Sequence, residues 1–394
     1  ISHFSPLYKP LFTGYTSFIE YFMKGCSIDI MEKRNLTRTK IIQYLFHHPA
    51  TSKSELARDL DLSMPTVLSH IGELLQDGMI AEIGEYASTG GRKAKSIGLN
   101  PSYCQSMGLV ITANHLEMVL VNLKFEIQSS RRTRLKFSRN LSYCAEVSSQ
   151  VRQFLADCSG DIPVLGIGVA IPGIIDPQKQ LVTKSHALDL NNYSLQFLSQ
   201  ALPLPAYFEN DANAAMLAED PQKYQNAVYL SLNHTLGGAF CMDGKIFRGQ
   251  SQKAGEFGHM ILIPGGKTCY CGKSGCADAY CAASALTDGG RISLEEFLTH
   301  LLSKEPDFLC LWERYLDHLA VLVSNLRMAY DMDIILGGDV GGIFAEYPEQ
   351  LMALSEKLML DNRFDQDTSY LRTCSYKKEA SAIGAAKHFF AEIC

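Results

Sequence analysis

The 394-residue sequence contains no run of about 18 apolar residues, the least that a membrane-spanning helix needs, which argues against a membrane span. It carries no excess of cations either. Lys and Arg number 36 against 42 Asp and Glu, and the resulting net charge of -6 does not suit a protein that coats nucleic acid or an anionic membrane with its whole surface. A small DNA-reading module inside a larger acidic chain remains compatible with that balance. Residues 1–30 lack the cationic start and long apolar block of a secretion signal. They are rich in aromatics, with one short amphipathic stretch at 18–23, and Met31 opens a stretch that reads like a natural start. We read 1–30 as an extension with no assigned role. A disulfide framework is missing too. Of 12 cysteines only three cluster closely, while others such as Cys26, Cys104, Cys158 and Cys310 stand singly. Scattered thiols in a long chain act as small buried hydrophobes and point to a reducing cytoplasm.

What is present is ordinary globular composition, 46% hydrophobic and 20% charged, and length enough for two or three domains. Residues 31–100 read as a first domain. Ile41, Ile42, Leu45 and Phe46 give one helical apolar face that ends at Pro49. Ser52-Lys53-Ser54-Glu55 has the spacing of a capping box and opens a second helix with Leu56, Ala57 and Leu60. Ser63 can cap a third helix, in which Val67, Ile71, Leu74 and Leu75 recur at helical spacing before Gly78. Strands are expected at 79–83 and 95–99, joined by Ser88-Thr89-Gly90-Gly91-Arg92-Lys93. Helix, tight turn, helix and a glycine-rich cationic hairpin make a winged helix-turn-helix, whose second helix enters the major groove. Thr66, Ser69 and His70 on that helix, with Arg92 and Lys93 in the wing, are the expected DNA contacts. Any three-helix bundle with a hairpin shows similar apolar spacing, and 31–100 holds nine Lys/Arg against eight Asp/Glu. The argument for DNA therefore rests on the order of elements and on the cations gathered at the wing.

Residues 101–394 alternate strands and helices, an α/β pattern. The sharpest chemical signal there is His259, Cys269, Cys271 and Cys276, with glycines at 265, 266, 272 and 275 that let the chain fold back on itself. One imidazole and three thiolates make a closed tetrahedral Zn²⁺ site of the structural kind. Cys269 and Cys271 are too near in sequence to bridge each other comfortably, and Cys281 reads as a packing thiol. A second signal is Glu209-Asn210-Asp211-Ala212-Asn213, where Asp211 can take a proton from a sugar hydroxyl and Asn210 can both donate and accept. The same residues would equally well start a helix. Glu256, three residues before His259, and Asp278, beyond the cysteines, complete a polar lining of Asn210, Asp211, Glu256, His259 and Asp278.

Glu-Asn-Asp-Ala-Asn at 209–213, Ala-Gly-Glu-Phe-Gly-His at 254–259, Cys-Tyr-Cys-Gly-Lys-Ser-Gly-Cys at 269–276 and Thr-Gly-Gly-Arg at 89–92 together resemble the ROK family of bacterial repressors and sugar kinases, from about residue 35 to the end. The resemblance implies a two-lobed actin/hexokinase-like α/β fold behind the winged helix. Lobe one would take about 101–212 with a C-terminal helix at 380–394, and lobe two about 213–379. It implies that Asp211 stands where kinase members have their base, that Asn210, Glu256 and His259 bind sugar, and that Asp278 replaces the family's usual glutamate. Kinase members carry Asp-x-Gly-Gly-Thr in the first hairpin, where this chain has Val110-Ile111-Thr112-Ala113-Asn114. They carry Gly-Thr-Gly-Ile-Gly-x-Gly in a second phosphate loop, where this chain has Asn233-His234-Thr235-Leu236-Gly237-Gly238-Ala239. Leu336-Gly337-Gly338 resembles the adenosine loop. Phosphoryl transfer depends on positioning and charge neutralisation, and both phosphate grips are damaged. The expectation is a non-enzymatic DNA-binding regulator, a repressor of carbohydrate metabolism. A sugar or sugar phosphate controls it, a structural zinc holds its cleft loop, and it acts on operator DNA as a cytoplasmic homodimer or higher oligomer. The alternative is an active sugar kinase with a regulatory head.

Overall fold

The computed structural model describes residues 36–85, 95–220, 223–360 and 362–391. The chain divides between Asn100 and Pro101 into two compact units. In the first, helical residues 36–47 (α1) are followed by α2 (Lys53–Asp59), α3 (Met64–Gln76) and a hairpin of β1 (Ile80–Glu85) and β2 (Lys95–Leu99). The capping box forms as the sequence dictates. Ser52 Oγ accepts from Glu55 N at 3.2 Å while Glu55 Oε2 accepts from Ser52 N at 2.8 Å. Ser63 caps α3 through Thr66 N at 3.3 Å. Gly78 takes the left-handed conformation, φ 78°, that ends α3. Ile41, Ile42, Leu45, Leu56, Val67, Ile71 and Leu74 are all buried. Thr51 and Ile97 exchange backbone hydrogen bonds of 3.0 and 2.9 Å, stitching the turn after α1 to β2.

The second unit is built from one topology used twice. β3 (Gln105–Ile111), β4 (His115–Asn122) and β5 (Ile127–Arg134) form an antiparallel meander. After α4 (Leu141–Cys158), β6 (Val164–Ile171) pairs parallel to β3. A small antiparallel sheet of β7 (Ile174–Asp176), β8 (Leu181–Ser185) and β9 (Leu190–Ser194) follows, then α5 (Gln196–Ala201). β10 (Ala206–Asn210) closes the first large sheet parallel to β6 and runs straight into α6 (Asp211–Ala218). The second large sheet repeats the pattern. β11 (Ala227–Leu232), β12 (Leu236–Met242) and β13 (Lys245–Ile246) form the meander. A short α7 (Asp278–Cys281), α8 (Leu294–Leu302) and the long α9 (Pro306–Tyr330) lead to β14 (Asp333–Gly337), parallel to β11. α10 (Gly338–Glu346) and α11 (Pro348–Met359) precede β15 (Leu371–Thr373), parallel to β14. Each sheet has its own apolar core: Phe154 and Phe208 sit in the first, Phe297, Trp312 and Phe344 in the second.

The last helix, α12 (Ala380–Phe390), returns to the first sheet. It can lie there because β3 and β6 present Gly108 and Gly168: a Cβ at either would stand 2.0 Å from the carbonyl oxygen of Ala382 or Ala385. It crosses α6 just as closely, since a Cβ at Gly384 would stand 1.7 Å from Ala214 O. α6 also touches β11 and β12, so the α6–α12 pair forms the joint between the two lobes. Among the described residues no helix is long and apolar enough to cross a membrane.

Candidate functional site

The expected sugar residues start where β10 becomes α6. Asn210 caps α6: its Oδ1 accepts from Asn213 N at 2.9 Å, and its Nδ2 donates to Gly173 O at 2.9 Å and to Asp211 Oδ1 at 3.2 Å. The cap and the ligand site expected at this motif are thus one object, with the amide oriented by the backbone before it could meet a sugar. Asp211 opens the helix, and its Oδ1 also accepts from Ala212 N at 3.0 Å. Burial pushes its carboxyl above the usual range, against those backbone donors. Burial raises the pKa of Glu256, and the carboxyl of nearby Asp211 raises it further. Although 39% of the Glu256 side chain meets solvent, enclosure of its carboxyl is the larger cause. His259 Nε2 stands 3.9 Å from Glu256 Oε2 and 3.4 Å from the Tyr270 hydroxyl. Asn210, Asp211, Glu256 and His259 therefore share a region, as the sequence implied. Asp278 is committed elsewhere: it is buried and its Oδ1 accepts from Leu236 N at 2.7 Å.

His259 Nδ1 points the other way, 3.8 Å from Cys269 Sγ, while Cys271 and Cys276 Sγ are 3.7 Å apart. The four ligand atoms lie within 4.8 Å of one another. A tetrahedron around Zn²⁺ with its usual bond lengths has S···S edges of about 3.8 Å and S···N edges of about 3.6 Å. The donor set and its spacing fit that ion, which His259, Cys269, Cys271 and Cys276 would hold. The metal would then fix one nitrogen of His259 and leave the other facing the cleft. Two residues that the sequence reading missed gather here. His186, on the loop between β8 and β9, and Tyr270, between the cysteines, stand with ring centroids 5.2 Å apart, and Tyr270 is 5.3 Å from His259. Tyr270 carried a weak signal through its place inside the cysteine motif. His186 carried none, because only the fold brings β8 to the metal loop.

A model of the ROK family matches residues 106–391, most of the chain. The chain belongs to the ROK family. A model described as winged helix-turn-helix DNA-binding matches residues 34–81. The chain is 25% identical over 260 residues to a xylose repressor of Caldicellulosiruptor bescii, a match spanning 64% of this chain and 65% of that protein. In fold it is similar to a ROK family transcriptional regulator described as a homologue of the Escherichia coli MLC protein. The TM-score is 0.71 at 18% identity, over 91% of this chain and 96% of the other. A Streptomyces griseus ROK glucokinase solved with glucose and AMPPNP shares the fold at TM-score 0.61 and 20% identity, over 72% and 98%. The repressor-like and kinase-like neighbours share one scaffold, so the fold alone does not choose between them.

In the three segments where the sequence resembles the kinase members' phosphate and adenosine loops, backbone N–H groups donate to side chains of this chain. In the β3–β4 turn, Thr112 Oγ1 accepts from His115 N at 2.9 Å and from Asn114 N at 3.4 Å. In the second loop, Leu236 N is taken by Asp278. At the start of α10, Asp339 N donates to Asn233 Oδ1 at 2.8 Å, where a helix N-terminus would otherwise receive a phosphate oxygen. Nearby carboxylates add to this. Glu117 is raised by burial and by Glu379 and Asp339, with Arg132 opposing.

On α3, the helix expected to read DNA, the outward face is Met64, Pro65, Leu68, Ser69, Gly72 and Gln76. Leu68 is 49% exposed. Thr66 is half-buried and its hydroxyl meets the Ser63 cap at 2.8 Å; exposed Ser69 donates to Glu73 at 3.3 Å. His70 corrects the sequence expectation. Only 6% exposed, it lies on the inner face with Val67, Ile71 and Leu74, three residues beyond Val67 on the same helical stripe, and does not face outward. Arg92 and Lys93 lie outside the described residues.

Proposed function

We propose that the chain is a DNA-binding transcription regulator, a repressor of carbohydrate-utilisation genes. Its ROK domain would sense a sugar or sugar phosphate in the cleft at Asn210, Asp211, Glu256 and His259. The observation that carries this reading is the internal satisfaction of the phosphate loops. Thr112, Asp278 and Asn233 occupy N–H groups that a nucleotide phosphate would need. Binding ATP there would strand those acceptors, and the carboxylates Glu117, Asp339 and Glu379 would meet a polyanion unfavourably. The sugar side keeps its residues. Asp278 serves the loop through one oxygen and would reach a sugar only through the other.

In this account a structural Zn²⁺ held by His259, Cys269, Cys271 and Cys276 fixes the wall of the cleft, and the protein works in a reducing cytoplasm. DNA is read by α3 through Leu68, Ser69 and Thr66, where an exposed apolar side chain suits thymine methyl groups. Of the described cations in the first unit, Arg38, Arg58 and Lys95 each hold a carboxylate, Asp77, Asp59 and Glu82, and Lys40 and Lys53 are the others. Arg92 and Lys93 then supply the phosphate or minor-groove contacts. One such module reads few base pairs, so the regulator would act as a homodimer on a two-fold operator. The sugar shifts operator affinity only by its differential affinity for the two states. The test is thermal stability against hexoses, pentoses, N-acetylhexosamines and their phosphates, with and without ATP. A sugar-dependent rise with no ATP effect supports the sensor, and an ATP effect deepened by sugar overturns it.

One observation favours a kinase: Asp211 is raised by burial toward the range of a general base. Sugar-dependent ATP consumption that vanishes in Asp211→Asn would establish that second reading.

A further inference from the structure

The region that Glu256 and His259 share already holds a hydroxyl of the chain's own, that of Tyr270. Tyr270 stands at the tip of a tight turn in the cysteine loop. There Thr268 bridges Ser274, Cys269 N donates to Lys273 O at 2.8 Å, and Gly272 N donates to Cys269 O at 3.0 Å. The turn holds the backbone, so movement of the phenol falls to the side chain. The hydroxyl stands 3.4 Å from His259 Nε2, and Glu256 Oε2 stands 3.9 Å from the same nitrogen. Tyr270 as a whole is 49% exposed, yet its hydroxyl end is enclosed. Burial raises the phenol's pKa, and Asp278, Cys269, Glu256 and Cys271 raise it further. The protonated hydroxyl thus lies among His259, Glu256 and Asp278, three of the residues expected to line a sugar.

A neutral imidazole whose Nδ1 serves a metal carries its proton on Nε2 and donates from it. A hydroxyl facing that N–H accepts, and keeps its own proton for a carboxylate. A sugar hydroxyl bound at His259 would do the same two things, and two oxygens cannot share one place. The Tyr270 ring is also clasped from across the cleft. His186, on the turn between β8 and β9, meets it with centroids 5.2 Å apart at 61°, and stands 6.3 Å from the His259 ring. Aromatic pairs favour such edge-to-face arrangements. β8 and β9 follow β6, whereas the cysteine loop lies between β13 and α7, so the contact joins the first half of the ROK domain to the second.

We propose that Tyr270 is a built-in competitor for the sugar. Its hydroxyl takes the place of a ligand hydroxyl at His259, and His186 clasps its ring there across the cleft. The proposal rests on the reading of Asn210, Asp211, Glu256 and His259 as a sugar site. Sugar enters by turning the phenol out, which also breaks the His186 contact. Occupancy of the cleft and this hold between the two halves are therefore exclusive. The apparent affinity is the intrinsic one reduced by the fraction of chains with the phenol out.

Isothermal titration tests this, with D-glucose, D-xylose, N-acetyl-D-glucosamine and glucose 6-phosphate as probes. The proteins are wild type, Tyr270→Ala, Tyr270→Phe and His186→Ala, with unchanged melting profiles. The best probe should bind Tyr270→Ala at least about fivefold more tightly than wild type, and binding seen only in Tyr270→Ala supports the proposal too. Tyr270→Phe, which loses only the hydroxyl, and His186→Ala should gain by less. Hydroxyl-radical labelling of Tyr270 in wild type, read by peptide mass spectrometry, should rise when that probe is added. Binding that Asp211→Asn with Glu256→Gln abolishes, but that Tyr270→Ala leaves unchanged or weakens, overturns the competitor alone. Weakening together with a protected ring would make Tyr270 a platform on which the sugar stacks. No binding to Tyr270→Ala by any probe up to about 10 mM, or binding indifferent to Asp211→Asn with Glu256→Gln, overturns the cleft reading and the competitor with it.

Discussion

At the scale of single residues, buried ionisable groups mark both the joint and the site. Lys387 of α12 donates to Ala218 O and lies 4.5 Å from the Phe125 ring. Burial lowers its pKa from 10.5 to about 8, while Glu219 and Asp220 oppose the fall. The folded value lies below the unfolded one, so between pH 8 and 10.5 the unfolded chain holds more protons and stability climbs as pH rises. Lys387→Met should remove that slope and raise stability at pH 7 by roughly 1–2 kcal/mol, read by urea denaturation across the window. Asp211 and Glu256 behave in the opposite sense. Their folded values are raised, so their contribution to stability grows as pH falls through those values. Glu256→Gln should stabilise the free protein slightly at pH 7, since solvent screens this partly exposed carboxylate, and should abolish any sugar-induced thermal shift. A gain in stability with loss of response is the pattern of a functional carboxylate, whereas a structural one would lose stability. Much at this scale was legible. That Asn210, Asp211, Glu256 and His259 gather in one region was readable from two motifs. The use of one Asp278 oxygen by Leu236, 42 residues away, was not readable, because it is a tertiary fact. His70 was misread as outward because three-residue spacing from Val67 places it at the edge of the apolar stripe, where only packing decides.

At the scale of elements, local chemistry set the first unit almost completely. The capping box, the Ser63 cap and the glycine stop all form as written in the sequence. Ser52→Ala should cost about 1 kcal/mol in the unfolding of that unit, measured by circular dichroism melts. The ROK domain was read less fully. β7–β9 and the 25-residue α9 were not anticipated, since short apolar runs between glycines do not distinguish a strand from a buried helix. The α6–α12 crossing depends on a residue with no side chain at all. Gly384→Ala, whose new Cβ meets Ala214 backbone, should cost about 3 kcal/mol or more. Gly342→Ala in α10 meets only ordinary contacts at 3.5 Å and should be neutral or stabilising by up to about 1 kcal/mol. Chemical denaturation of the two variants side by side checks the contrast. In the metal loop, Cys276→Ser should remove the zinc equivalent measured by metal analysis after exhaustive dialysis. The loss should reach any sugar response as well, because His259 would belong to both proposed sites.

At the scale of the whole molecule, one α/β topology occurs twice around a helical joint, with a winged helix-turn-helix ahead of it. The two lobes were anticipated through the family resemblance that the motifs at 89–92, 209–213, 254–259 and 269–276 carry, and the winged helix-turn-helix through the order of its elements; the repeat of one topology was not. The refilled phosphate loops were anticipated only as missing glycines; which side chains had taken their place could be seen only in three dimensions. We propose that these features belong to a regulator with a sugar cleft and no working nucleotide site. Fluorescence anisotropy of the protein on DNA from its own upstream region, titrated with sugars in the absence of ATP, tests this. Salt-dependent, sequence-preferring binding is expected, lost with Leu68→Glu, together with a change of at least about tenfold on adding one sugar, lost with Asp211→Asn. Binding that no sugar alters without ATP, or sugar-dependent ATP turnover by the same preparation, would contradict it.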